Sequence, residues 1–527
     1  MEHDTKYILA IDHGTSGVKT AIVSTFGEVV DWAFQEVNLY LGNDGKAEQD
    51  PAEWWDAILQ TAKIVIDHGN VPVENIVGVC SSSQWSGTVA VDKDGNHLMN
   101  SLIWMDTRGA PIVKRLHKGL IKVSGYNLFK LLKWISITGG GPTSSGKDPI
   151  AHVLYIKEAL PDMYKNTYKF LEPQDFLNLK FTGKFAASHA SIQMHWITDT
   201  RDINDIKYSK SLIKTLKIDA DKFPELKRSI DILGPVSKEI TDELGLNADT
   251  KVVMGAPDLH SATVGSGAVK NYEGHLCIGT SDWLLCHVPY KKTDALHNMA
   301  SMPSAFPGRY VLVNEQELAG GCLAFLRDKI LYHKDELLRE EHSPDVYKIF
   351  DKIVEKVKPG SDNLIFAPWL FGERTPVDDH AIRGGLFNIS LEMNRETIIR
   401  AVFEGVAYNV RWLLKYVEKF IGQQFPWINI IGGGANSNIW CQIFADVLDR
   451  PIRQVKNPIQ ANARGAAFLA SVALGYIKED DIGKYTTINN VYNPNPENRG
   501  IYDRLFKEFL GLYKSTKAMC NRLNQST

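Results

Sequence analysis

Cysteine is sparse in this chain: six occur in 527 residues, at Cys80, Cys277, Cys286, Cys322, Cys441 and Cys520. No two fall at C-x-x-C spacing, which excludes a zinc ribbon or a dithiol redox motif and leaves the thiols as reduced structural residues. An excess of charge of one sign is missing as well, since 59 Lys and Arg against 62 Asp and Glu leave a formal net charge of -3. Without a global basic field, neither nucleic acid nor an anionic membrane is expected as a partner, and any anionic ligand must be gripped locally. No stretch approaches the roughly eighteen consecutive apolar residues of a membrane span. The chain opens on Glu2, His3 and Asp4 where a leader would be basic, so a cytoplasmic location is expected. None of the 15 histidines stands at H-x-x-x-H spacing from another, so no helical zinc motif is present. Low-complexity tracts and obvious linkers are absent too.

What is present is an ordinary mixture, 44% hydrophobic and 23% charged, with ample material for large cores. The length is about three times the commonest domain size, so two or more domains are expected. Residues 7–11 form an apolar run, 12–17 a polar turn and 19–24 a second apolar run, which reads as strand, loop, strand. Asp50 is a candidate N-cap, with Pro51 at the first helical position and Glu53 completing a capping box, for an aromatic-rich helix that stops at Gly69. Residues 76–80 follow as a buried strand. This alternation predicts an α/β layer architecture with several parallel strands.

A second half is expected to begin near Lys251, with strands at 252–254 and 276–278. It repeats the opening: LAIDHGTS at 9–16 and LCIGTS at 276–281 each run an apolar strand into Gly-Thr-Ser. Two such halves facing one another would form a cleft, a common place for a ligand. Residues 395–421 carry helical periodicity ended by Gly422, a strand at 427–431 delivers Gly432, Gly433 and Gly434 into a further helix, and 501–523 has the spacing of a terminal helix that packs back.

Glycine-rich turns therefore follow strands at 14–17, 279–281 and 432–434. Successive backbone N–H groups in such turns can surround phosphate oxygens, because glycine lets the main chain approach closely. As a set they suggest a polyphosphate contacted from both halves; singly, each is also an ordinary tight turn. A rival phosphate loop, GPTSSGKD at 141–148, fits G-x-x-x-x-G-K but puts Asp148 where a hydroxyl should meet Mg²⁺, so a P-loop is not expected. Asp12, beside the first turn, is either a carboxylate for hydrated Mg²⁺ or a turn cap. Asp258, after a strand and before a helix, is either a ligand-facing acid or an N-cap. His13 and His260 read as residues satisfied by their neighbours, not as metal ligands.

Together with AIDHGTSGVK at the start, IWMDTRG at 103–109, GAPD at 255–258, the IGTS turn, FAPWLFGERTP at 366–376, FEGVAYN at 403–409, IIGGGANSNIWCQIFADVLDRP at 430–451 and ARGAAFLA at 463–470 resemble the FGGY carbohydrate kinases. Within that family the order and spacing are most similar to the xylulokinases. The resemblance spans nearly the whole chain, and its weight lies in the joint occurrence of the motifs. It implies duplicated actin-like, ribonuclease H-like α/β domains around an inter-domain cleft, divided here as 1–257 (sugar side), 258–484 (nucleotide side) and a helical tail at 485–527. It also implies ATP and Mg²⁺ as cofactors and a sugar or polyol as acceptor; a homodimer is left open.

By the same resemblance Asp258 is the catalytic base and Asp12 the carboxylate near the metal. Thr15, Ser16, Thr280 and Ser281 line the phosphates, Lys19 stands at a basic position among them, and Gly433, Gly434 and Asn436 match the adenosine-binding turn. Gln84, Trp85, Ser86, Asp106, Arg108, Asp258 and Leu259 fall on the sugar side. Phosphoryl transfer agrees with this set, since it asks mainly for charge neutralisation and in-line positioning, with a modest base for the attacking hydroxyl.

The departures lie on the sugar side. Xylulokinases carry Gln-Met-His-Gly where this chain has Gln84, Trp85, Ser86 and Gly87, and Asn where it has Leu259. A signature lysine aligns with His152, and Asp282 and Trp283 replace Gly and a small residue after the second Gly-Thr-Ser. An acceptor pocket shaped by Trp85, Ser86, Leu259 and His152 is expected to disfavour D-xylulose, because lost polar partners change substrate choice by orders of magnitude. A reading of another class, an actin-like ATP-binding scaffold or regulator without phosphotransfer, is disfavoured by retention of both Asp12 and Asp258.

Overall fold

The computed structural model describes residues 5–119, 122–123, 126–331 and 345–524. Glu2, His3 and Asp4 lie outside the described residues. Two sheets organise the chain. The first is built from β1 (Tyr7–Gly14), β2 (Gly17–Ser24), β3 (Val29–Glu36), β4 (Ile76–Ser83), β5 (Ile232–Pro235) and β6 (Lys251–Val253), in the spatial order β5-β6-β4-β1-β2-β3. The second holds β7 (Gly274–Ile278), β8 (Asp282–Val288), β9 (Thr293–Asp294), β10 (Met299–Pro303), β11 (Tyr310–Val313), β12 (Ile428–Ile431), β13 (Ile452–Val455) and β14 (Ile488–Tyr492), in the order β9-β10-β11-β8-β7-β12-β13-β14.

The repeat seen in the two Gly-Thr-Ser strands extends to the whole sheet. In the first, β1 pairs antiparallel with β2 and parallel with β4, β2 pairs antiparallel with β3, and β6 pairs parallel with β4 and antiparallel with β5. In the second, β7, β8, β11, β12, β13 and β14 repeat these five pairings in the same directions. One expectation is corrected: β6, where a second half was expected to begin, completes the first sheet beside β4. Its three residues are too short to reveal their partner by pattern alone.

Helices cover the sheets and bind the halves together. Helix α1 (Pro51–Asp67) lays Trp54, Trp55, Ile58, Ala62 and Val65 against the first sheet. Asp50 caps it by accepting from the Ala52 N–H at 2.8 Å, but Glu53 closes no capping box; its carboxylate accepts from Asn38 and Tyr40. Helix α2 (Pro149–Ala159) belongs to a flanking layer. The short helix α3 (Asp258–Gly265) begins at the candidate base. Helix α4 (Arg395–Ile421) runs from its Asn394 cap to Gly422, α5 (Asn438–Leu448) follows the third glycine turn, and α7 (Pro496–Asn524) returns Tyr502, Leu505, Phe509 and Tyr513 to the second core.

Between them α6 (Ala461–Ala473) crosses to the other half and packs its alanines, with Phe468 and Leu469, on Ile8, Ala10, Ala21 and Val23 of the first sheet. Where α6 meets α3, glycine is obligatory on both helices. A Cβ at Gly465 would stand 1.8 Å from the Ser261 carbonyl oxygen, and one at Gly265 would stand 1.8 Å from that of Ala461. The helix that presents Asp258 is thereby clamped between the halves. All six cysteines are free and buried. Among the described residues no helix is long and apolar enough to cross a membrane.

Candidate active site

The first hairpin turns more tightly than its sequence suggests. Asp12, His13 and Gly14 continue β1, and only Thr15 and Ser16 form the turn. Register places Asp12 opposite Lys19. Lys19 Nζ lies 3.3 Å from Asp12 Oδ2 and donates to the Ile459 carbonyl at 3.0 Å, while Asn462 of α6 donates to Asp12 Oδ1 at 3.1 Å. Lys19, expected among the phosphate contacts, here links Asp12 to the Ile459 carbonyl of the opposite half. Ser16 is exposed and its hydroxyl is free among the described residues. The Thr15 hydroxyl is occupied, donating to Gln84 Oε1 at 3.0 Å and accepting from Trp104 Nε1 at 2.9 Å.

Asp258 is delivered by β6 through Gly255, whose φ of 72° suits only glycine, and Pro257. Its Oδ1 accepts from the Leu259 N–H at 2.7 Å. Burial pushes this carboxyl up to about 7, with the negative fields of Asp12 and Glu315 adding to the rise and the Leu259 N–H opposing it. The two candidate carboxylates are thus close enough for Asp258 to sense the charge of Asp12. Asp12 has spare lone pairs on both oxygens, and no protein-only cluster of three His, Cys, Asp or Glu exists among the described residues. This donor set suits Mg²⁺, which keeps several waters and takes further oxygens from a substrate phosphate.

The second hairpin turns at Gly279, Thr280 and Ser281 between β7 and β8. Thr280 is exposed, and its hydroxyl has no partner among the described residues. Ser281 donates to Glu315 Oε1 at 3.1 Å, and Arg374 binds both Glu315 and Glu317 while its guanidinium lies 5.8 Å from the Trp104 ring centroid. A continuous relay thus runs from Gln84 through Thr15, Trp104, Arg374 and Glu315 to Ser281, joining the two Gly-Thr-Ser turns. Beside it Asp282 is fully buried, with neither carboxylate oxygen hydrogen-bonded, and its carboxyl is driven well above the usual range by burial and by Glu373 and Glu315.

The third glycine turn separates structural glycines from an open one. Gly432 has φ 86°, and a Cβ there would meet the Ile278 carbonyl oxygen at 2.5 Å; one at Gly434 would meet the Ile278 side chain at 2.3 Å. A Cβ at Gly433 would meet nothing within 4 Å. Gly433 and Asn436 are exposed and the Asn436 side chain is free, whereas Gly434 is required by packing.

On the sugar side Gln84 is buried and saturated: its amide nitrogen donates to Gln49 Oε1 at 2.7 Å and its oxygen accepts from Thr15. Trp85 is pinned by donation from Nε1 to the Ser191 carbonyl at 2.9 Å, and Ser86 takes a left-handed φ of 65°. The turn is held from below by Glu172, which accepts from the Gly87 N–H at 3.0 Å. Leu259 packs with Trp85 and Trp283, giving one apolar wall. Asp106 and Arg108 face inward: Arg108 pairs with Asp106 and Glu48, and Asp106 also accepts from the Ala47 N–H. They brace the loop that carries Trp104.

His152, expected at the acceptor pocket, does not reach it. It is fully buried between Thr88 Oγ1 at 3.1 Å and the Asp106 carbonyl at 3.4 Å, and burial lowers it to about 4, so it is neutral. His13 and His260 are likewise buried and held neutral by desolvation, at about 3 and about 4. In the segment 141–148, Asp148 accepts from the Thr143 N–H and hydroxyl and precedes α2. The element before this segment is a helix, Leu128–Thr138, where a P-loop needs a strand.

Sequence reading passed over Trp104, Glu315 and Arg374, which link the two turns. Trp104 and Arg374 lie inside quoted motifs, IWMDTRG and FGERTP; Glu315 follows β11 with no local signal. Comparisons with known proteins give the family. The N-terminal domain of the FGGY family of carbohydrate kinases matches residues 7–265 and the C-terminal domain matches 274–474. A xylulose kinase of Staphylococcus epidermidis is 27% identical over 526 residues, covering 97% of each chain. A gluconokinase of Bacillus subtilis is 24% identical over 485 residues, covering 90% of this chain and 89% of its own. The crystal structure of gluconate kinase from Lactobacillus acidophilus superposes with a TM-score of 0.85 at 25% identity, covering 99% of this chain and all of the other. With both domains matched in order and the duplicated sheets facing a common cleft, this chain is an ATP-dependent carbohydrate kinase of the FGGY family.

Proposed function

We propose that Asp258 is the general base that prepares an acceptor hydroxyl for attack on the γ-phosphorus of ATP in the cleft between the two hairpins. The observation that carries this reading is the placement of Asp258 at the start of clamped helix α3, with a carboxyl raised to about 7, near the operating pH of a useful base. The acceptor hydroxyl gives its proton to Asp258 Oδ, its oxygen bonds to phosphorus, and the bond from phosphorus to the bridging oxygen of ADP breaks. Asp12, fixed by Lys19 and Asn462, would hold Mg²⁺ brought with the nucleotide, which supplies charge neutralisation for the phosphates. Ser16 and Thr280 offer free hydroxyls to the phosphates from opposite halves, and Gly433 with Asn436 offers an open surface to the adenosine. Thr15 and Ser281 act within the relay that couples the halves, and closure of that relay over bound substrates excludes water as a competing acceptor.

The acceptor wall of Trp85, Leu259 and Trp283 supports a substrate that lays a carbon face on aromatic rings and makes no hydrogen bond at position 259. D-Xylulose is accordingly a poor acceptor. The named relatives act on different acceptors, xylulose in one and gluconate in another, so family membership leaves this choice to the pocket. The six free, buried cysteines support a reducing compartment. The test is ADP release across ketopentoses, aldoses, alditols and aldonates. Turnover with at least one of them, and a specificity constant for D-xylulose below the best acceptor, is expected; silence across the panel, or D-xylulose at its head, overturns the reading. A Gly433→Val variant should raise the KM for ATP, whereas loss of the 141–148 segment's lysine should not.

A further inference from the structure

We infer that the acceptor carries a carboxylate, and that Lys147 is the residue that binds it. The inference rests on the kinase reading above and names its substrate class: polyhydroxy acids in preference to neutral sugars or polyols. Lys147 ends the segment that fits the phosphate-loop pattern without being one, so its lysine lacks an assigned partner. Its ammonium stands 5.8 Å from the centroid of the Trp104 ring, whose indole nitrogen donates to Thr15, which donates in turn to Gln84 on the sugar side. Lys147 therefore reaches the cleft on the first half's side of the cross-cleft relay.

The segment that carries it is built, not loose. Thr143 is tied to Asp148 and to Ser145 Oγ at 2.7 Å, the Ser144 N–H donates to the Tyr126 hydroxyl at 3.1 Å, and Gly146 takes φ 76° with no room for a Cβ against Ala110. Yet among the described residues the ammonium it presents makes no hydrogen bond and no ion pair. The neighbouring cation, Arg374, lies at the same 5.8 Å from Trp104 but is neutralised by Glu315 and Glu317. Burial and the Arg374 charge lower Lys147 below the ordinary lysine range, and the glutamates offset this only in part. A half-buried, positioned cation that feels Glu315 and Glu317 only at a distance, with no direct hydrogen-bonded partner among the described residues, is stabilised by an incoming anion. The free carboxylate of an open-chain sugar acid supplies one while the carbon chain lies along Trp104 and Trp85. The γ-phosphate is the other possible source of negative charge, and the experiment separates the two.

Full-length protein is assayed with matched pairs that differ only in the terminal group, D-gluconate against D-glucitol and D-xylonate against xylitol, with ATP varied independently. The expected result is a kcat/KM for the aldonate about ten- to a hundredfold above its alditol. That ratio should fall at least about tenfold in Lys147→Met and be largely restored in Lys147→Arg, with the loss in acceptor KM. In the wild-type enzyme, added NaCl should depress the aldonate constant and not the alditol constant. Equal constants within a pair, an unchanged ratio in Lys147→Met, or a rise confined to the KM for ATP would overturn the inference. Turnover of alditols or ketoses without aldonates would sink this inference alone, whereas silence with every acceptor would remove the kinase reading with it.

Discussion

Counting back from the glycine of each Gly-Thr-Ser, the first hairpin has Asp12 opposite Lys19 and the second has Cys277 opposite Trp283. Both are strand-turn-strand hairpins at the equivalent place in the two sheets, the first turning over two residues between paired Gly14 and Gly17 and the second over three between paired Ile278 and Asp282, but the cross-strand pair is ionic in one half and apolar in the other. Duplication supplied two equivalent turns and the side chains divided the work between them. The first keeps charge: Asp12 is held by Lys19 and Asn462, and its field reaches Asp258. The second turns apolar, with Trp283 donating to buried His275 at 3.2 Å and closing the wall with Leu259 and Trp85. Even the carboxylates diverge, since Asp12 is paired and partly exposed while Asp282, on the second hairpin, is buried and unpartnered. Under the proposed mechanism the first hairpin holds the metal-side charge, while the second offers Thr280 to the phosphates and Trp283 to the acceptor wall.

If this division is right, the largest effect comes from removing charge from the first hairpin. Asp12→Asn should lower kcat/KM at least about a hundredfold, whereas Cys277→Ala at the equivalent position should change it less than about threefold. Steady-state kinetics decides, and comparable losses in the two variants would erase the distinction. Next comes the acceptor wall. The double variant Leu259→Asn, Ser86→His should shift preference toward D-xylulose by about ten- to a hundredfold, read as a ratio of specificity constants. Trp283→Leu should raise the acceptor KM about tenfold and leave the KM for ATP near its starting value.

The smallest effect belongs to Asp282. Its folded-state carboxyl is raised, so the native state favours the protonated form. The stability this contributes is present below the ordinary carboxylate range and is lost as pH rises toward the folded value. Asp282→Asn, which cannot ionise, should therefore gain in stability on the wild type as pH rises from about 5 to about 8, with turnover preserved. Denaturant unfolding at the two pH values measures it; a constant difference would mean that Asp282 does not titrate in this window.

Much of this was legible in the sequence because it rests on local signals. The Gly-Thr-Ser repeat announced the duplicated sheet, and the run from Arg395 to Gly422 gave its helix to the residue. Strand-to-turn placement singled out Asp12 and Asp258. What escaped depends on contacts between distant segments. The bond from Lys19 to the Ile459 carbonyl spans 440 residues and has no local signal. Glu315 enters through Arg374 and Ser281, and neither its own neighbours nor its spacing announce it. His152 aligned with a sugar-side lysine, yet the shorter side chain is enclosed by Thr88 and the Asp106 carbonyl. The membership of β6 in the first sheet likewise depends on pairing with β4, which no three-residue pattern encodes.

The central claim is that Asp258 accepts the proton, and the pH dependence of kcat/KM in wild type and Asp258→Asn, with a confirmed acceptor, tests it most directly. A raised carboxyl must be deprotonated to act as a base, so wild-type kcat/KM should fall with unit slope as pH drops below about 7. Asp258→Asn should lose about 10²–10⁴ in turnover, lose that acid limb and retain nearly the same nucleotide affinity. Wild-type-like turnover in Asp258→Asn, or an acid limb that survives the substitution, would contradict the account.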